Sequence, residues 1–145
     1  MKREIKFRAW EKTEKKMGVV EVLTDQGCFI LGVNPDKDSY FNGGKTIIEA
    51  PNNGRFVYFE DCELMQFTGL KDKQGKEIYE GDILKSESWG KNTKVKNPYH
   101  VVEWGRVGWI AIVYNGQMKV NPPLDVKSDF EIIGNIYENP ELLNT

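Results

Sequence analysis

With 145 residues and a formal net charge of −2, the chain has the length of one domain, or of two small β subdomains sharing a core. A chain of this size buries roughly 70% of its unfolded surface and needs no disulfide or metal staple. Plentiful aromatics, and charges of both signs spread along the sequence, exclude a disordered or fibrous protein, and no run approaches the roughly 18 consecutive apolar residues that span a bilayer.

Strand patterns dominate from the start. Glu4-Ile5-Lys6-Phe7-Arg8-Ala9-Trp10 alternates apolar Ile5, Phe7 and Ala9 with charged partners, the period of a half-buried strand. It begins almost at Met1, with no apolar signal core, so the expected location is the cytoplasm. The charged run Glu11 to Lys16 reverses the chain into Met17 to Leu23, and Asp25-Gln26-Gly27 turns it again into Cys28-Phe29-Ile30-Leu31, a predicted hairpin. These first thirty residues read as a β-meander. Residues 34–44 are crowded with turn formers and predict a long loop; two short strands follow, Lys45 to Ala50 and Arg55 to Glu60, and Glu63 to Thr68 is placed beside them. Gly69 to Lys76 reads as a charged turn with Gly75 suited to positive φ.

Glu77-Ile78-Tyr79 and Asp82-Ile83-Leu84-Lys85 flank Glu80-Gly81, and Ser86 to Pro98 is a second long loop carrying Trp89. Tyr99 to Trp104 and Val107 to Tyr114 read as strands joined through Gly105-Arg106, and Asn115-Gly116 signals a type I′ hairpin into Gln117 to Val120. Phe130 to Tyr137 is the last strand. Asn139-Pro140-Glu141 predicts one capped helical turn at the end. Turn signals every eight to twelve residues predict a mainly β fold with very little helix. The expected organisation is an N-terminal β subdomain over residues 1–69 packed with a small SH3-like β-barrel over residues 70–145.

Three blocks carry a likeness: REIKFRAW at 3–10, LMQFTGLKDKQGKEIYEGDIL at 64–84 and EIIGNIYENPELL at 131–143. In sequence and order they resemble the YopX family of bacteriophage and prophage proteins. The resemblance implies a phage or prophage setting and a predominantly β fold, and no reaction, because the family has none to carry over. Residues 32–60 and 86–128 lie outside the matching blocks.

Read residue by residue, most chemistries fall away. Nucleophilic hydrolysis needs a base, but His100 is the one histidine, no GxSxG is present, and the residue sits in a strand pattern. Asn42-Gly43-Gly44-Lys45-Thr46 lacks the first glycine of a phosphate loop and precedes a strand where such a loop opens a helix. Cys28 and Cys62 have no CxxC partner, so they are expected to be buried reduced thiols, with a disulfide only if their strands are adjacent. In EIYEGDIL, Gly81 is expected to supply a tight backbone position and Asp82 to bond nearby amides. The alternative gathers Glu77, Glu80 and Asp82 round a cation or as an acid and base pair for hydrolysis.

Two binding classes remain. Residues 85–106 carry five basic residues against two acids, within a chain whose pI is about 5.5. Lys85, Trp89, Lys91, Lys94, Lys96 and Arg106 are therefore candidate binding residues, with Trp104 and Trp109 either joining them or filling the core. Bases stacked on aromatics over a basic groove would make a nucleic-acid module. The favoured reading is a protein-interaction or self-assembly module without cofactor, partnered by a second copy or by a host or phage protein and anchored by aromatics such as Trp10, Tyr40 and Trp89.

Overall fold

The computed structural model describes residues 4–31, 54–87, 99–106, 108–113 and 129–144. The chain is mainly β, with two antiparallel sheets, and its residues group into two units, Lys6–Met65 and Met1–Ile5 with Gln66–Thr145.

In the unit Lys6–Met65, β1 (Phe7–Glu11), β2 (Lys16–Leu23), β3 (Gly27–Leu31), β4 (Gly54–Tyr58) and the start of β5 (Cys62–Lys71) lie in the order β4-β3-β2-β1-β5. The predicted β2–β3 hairpin forms: Val20 faces Ile30 and Leu23 faces Cys28, with a bulge between Val20 and Val22. Further along β3, Cys28 pairs with Val57 and Leu31 with Gly54. Ala9, Cys28, Ile30, Val57 and Cys62 form the core, with Val20 and Leu64 packed against it.

Curvature explains that grouping. Two strands separate β3 from β5 in the order, about 14 Å across a flat sheet at the usual strand spacing. Yet the sulfurs of Cys28 and Cys62 lie 3.8 Å apart. The sheet therefore curls until its inward side chains meet, which small residues permit. Gly18, paired with Ala9 on that inner face, shows how tight the curl is: a Cβ there would overlap the Leu31 carbonyl oxygen and the Ile30 side chain.

Strand β4 ends two residues before the predicted limit, in a 3₁₀ turn over Phe59–Asp61. β5 runs longer than expected, through Gly69 to Lys71, and lies between β1 and β6 (Glu77–Tyr79), not beside β4. Gly69, at φ 85°, makes a bulge where the β5–β6 register shifts between Phe67 and Lys71, so it bends the strand and does not end it.

The second unit holds the rest of β5, β6 and a four-stranded sheet of β7 (Asp82–Ser86), β8 (Tyr99–Gly105), β9 (Gly108–Val113) and β10 (Phe130–Asn135), ordered β10-β7-β8-β9. The β8–β9 hairpin forms as predicted, with Gly105 facing Gly108. Ile78, Leu84, Val102, Ala111 and Phe130 make its core, joined by Leu70, Trp109 and Ile132. Among the described residues neither sheet closes into a barrel. The chain's last turn is 3₁₀, Pro140–Leu143, and Asn139 makes no side-chain cap to it; its side-chain oxygen accepts from the Asn135 amide instead (3.3 Å). The expected strands at Lys45 to Ala50 and Gln117 to Val120, and the turn at Asn115-Gly116, lie outside the described residues.

Candidate interaction surfaces

Of the basic and aromatic candidates, Trp89, Lys91, Lys94 and Lys96 lie outside the described residues. Lys85 is exposed on β7, where its register neighbours are Tyr99 and the acidic Glu131. Arg106 is exposed just past the other end of β8. At about 3.3 Å per residue the backbones at these two positions are roughly 20 Å apart along the strand. The two tryptophans divide: Trp109 packs on the core, whereas Trp104 leaves 58% of its surface exposed and meets the Trp109 ring edge-on at 4.8 Å.

The EIYEGDIL segment takes its expected structural form. Gly81 sits at φ 79°, and the buried Asp82 carboxylate accepts the Tyr79 amide at 2.8 Å. The Glu80 amide donates to the Gln66 carbonyl and the Gly81 amide to that of Val102, both at 2.9 Å, so this turn ties β5 and β8 together. Glu77 accepts from the Tyr79 hydroxyl at 3.2 Å. Among the described residues no three His, Cys, Asp or Glu side chains gather closely enough to hold a metal. His100 is fully buried in β8, edge-on to the Phe130 ring.

A second buried carboxylate organises the KDKQGK turn. Asp72 accepts the amides of Gln74 and Lys76 at 2.9 Å each and that of Ile132 at 3.1 Å, while Gly75 takes φ 85° as expected. Burial pushes this carboxyl up, but the amides of Ile132, Lys76 and Gln74 outweigh it, and its pKa is lowered. Beside it, Lys73 bridges Glu131 and Glu87 on the surface.

Two features escaped the sequence reading. The first is Glu11, fully buried, whose carboxylate pairs with the Arg55 guanidinium at 3.0 Å and accepts the amides of Thr13 and Glu14. Burial raises its pKa, the Glu14 and Thr13 amides and Arg55 lower it, and the net shift is downward. Its position was the available signal, since Glu11 continues the inward parity of Phe7 and Ala9.

The second is the outer face of the curled sheet. The pairs Trp10–Met17, Arg8–Val19, Val22–Phe29 and Phe29–Phe56 point away from the core, and so does Tyr58. Val19 is 56% and Tyr58 47% exposed, Val22 is exposed, and Phe56 meets the Tyr58 ring edge-on at 5.4 Å. The consecutive apolar pairs Val19-Val20 and Val22-Leu23, apolar on both faces of β2, were the signal.

These features can be set beside known proteins. A family model described as YopX protein matches residues 6–144. Among solved structures, the crystal structure of protein EF1440 from Enterococcus faecalis is similar: 27% identity over 98% of this chain and 99% of that one, with a TM-score of 0.58. None of the curated proteins matches.

Proposed function

From the premise that the chain belongs to the YopX family, we propose that it is a non-enzymatic phage or prophage accessory protein acting as a protein-interaction and self-assembly module. The observation that carries this reading is the outer face of the β1–β4 sheet. A sheet face is normally apolar toward the core and polar toward water; here Val19, Val22, Phe29, Phe56 and Tyr58 make the outward side apolar as well. Aromatic and β-branched side chains held on a sheet suit a protein interface, because little side-chain freedom is lost on burying them. Such an accessory protein would act in the cytoplasm of the bacterial host without a cofactor.

The test is self-association of the wild type against Val19→Glu with Val22→Glu, by sedimentation across a wide concentration range. We expect the wild type to dimerise or assemble further, and the double variant to need at least ~10-fold higher concentration, since a buried unpaired charge costs more than the ~1.4 kcal/mol that a factor of ten represents. Monomer at every concentration for both chains removes self-assembly.

A nucleic-acid module remains the second reading, favoured by the exposed Trp104 with Arg106 two residues on. Binding to short DNA or RNA at about 50 mM salt, weakened by Trp104→Ala, would support it, because electrostatic affinity is greatest at low salt. The acid and base reading of Glu77, Glu80 and Asp82 is the weakest. An SH3-like barrel in the later unit is supported by β10 returning to pair with β7, which brings the last strand of that sheet back to its first.

A further inference from the structure

Cys28 and Cys62 are both buried and both free, and their sulfurs face each other at 3.8 Å across the hollow of the curled sheet. We propose that these two residues are a redox-convertible pair: a two-electron oxidant joins them in an internal disulfide that staples β3 to the start of β5 and locks the curl of the sheet.

The geometry makes the step short. A disulfide bond is about 2.05 Å long, so each sulfur needs to move by about 1 Å, within reach of a side-chain rotation and a small shift of two strands. The neighbours suit an apolar bridge: the surrounding core is built of Ala9, Ile30 and Val57. No other cysteine exists in the chain to compete, so one chain can make only this one internal link.

The chemistry balances with peroxide or with a small disulfide as the oxidant. With peroxide, one thiolate attacks an oxygen and becomes a sulfenic acid, hydroxide leaving; the second sulfur displaces the sulfenic hydroxyl, and two thiols plus one peroxide give one disulfide plus two waters. With oxidised glutathione, a mixed disulfide forms first, the second thiol resolves it, and two glutathione thiols depart. Burial raises both thiols, and Cys28 is pushed up to about 12 by burial and then by Cys62 itself. At Cys62 burial, helped by the charges of Glu63 and Asp61, outweighs the Cys28 hydrogen bond and the charge of Lys12, and the net shift is upward. The reaction is therefore slow at neutral pH and speeds up as pH rises.

The product cross-links residues 34 apart in sequence, with β4 inside the closed loop. A loop of that length removes substantial freedom from the unfolded chain, so the oxidised form should melt later by about 5 °C or more.

The test uses the full chain, reduced and then equilibrated in glutathione buffers of increasing oxidised fraction. Intact mass should fall by about 2 Da, the change for two hydrogens lost in one disulfide, and a peptide containing Cys28 should be recovered joined to one containing Cys62. Maleimide added in denaturant should label two thiols before oxidation and none after. Cys28→Ala and Cys62→Ala should each abolish the internal link while leaving one thiol that labels. Persistence of two labelling thiols in the most oxidising buffer overturns the proposal, as does a cross-link found only between chains. Because these readouts do not depend on a partner, they stand or fall apart from the self-assembly reading.

Discussion

The two units solve the same problem, burying a carboxylate beside a turn, with different counterweights. In the unit Lys6–Met65 the buried Glu11 relies on a cation, Arg55, as well as on two amides. In the later unit Asp72 accepts three backbone amides and Asp82 accepts that of Tyr79. The curled sheet has a core without aromatic side chains, and a long-range ion pair adds a tie between β1 and β4. The later unit fills its interior with Leu84, Phe130 and Trp109, and its carboxylates fix turns, Asp72 also accepting from the Ile132 amide of β10. Core size and electrostatic reinforcement thus trade against each other within one chain.

Arg55→Ala should break the comparison hardest. It leaves Glu11 buried without its cation, a loss of about 3 kcal/mol by the usual cost of stranding one partner of a buried pair, read as a lower urea midpoint. Restoring more than half of that loss by adding Glu11→Gln would confirm the stranded charge as the cause; no restoration would point to packing. Next comes Asp72→Ala, which strands three amides that water can partly reach and should cost about 2 kcal/mol. Asp82→Asn, keeping an acceptor of the same shape, should cost less, about 1 kcal/mol, and leave the fold intact.

Acid should weaken both units. The carboxyls of Glu11 and Asp72 are held below their ordinary values, so their stabilisation is complete above the unfolded value near pH 4 and is lost as pH falls through the lower folded values. Urea midpoints taken from pH 6 down to pH 3 should fall, and Glu11→Gln should flatten the part due to the first unit. A slope unchanged by that variant would assign the whole effect to Asp72 and its neighbours. Trp104→Ala is the smallest change, about 0.5–1 kcal/mol through the edge contact with Trp109, because most of the ring is already in water.

Much of this scaffold was legible from alternation and turn residues. The β2–β3 and β8–β9 hairpins, the positive φ of Gly75 and the backbone role of Asp82 all follow from local rules, since each depends on residues a few positions apart. What stayed hidden depends on distant pairs. Glu11 reads as one more charge in a charged reversal until Arg55 is brought to it from 44 positions away. Gly69 reads as a strand end because a bulge and a turn use the same residue. The thiol pair was tied to strand adjacency, whereas sheet curvature, which no alternation pattern encodes, is what joins the sulfurs. Of the candidate surface, Lys85 and Arg106 are both exposed; the outer apolar face left only a local trace in the paired apolar residues of β2, because its other members come from different strands.

The pairing of Leu31 with Gly54 has one more consequence. It completes five consecutive pairs that begin at Gly27–Tyr58, so the register of β3 on β4 is fixed along the whole of both strands. A slip of one residue would carry Val57 to the outer face and Phe56 into the core, and every contact that Cys28 and Ile30 make there would be lost at once.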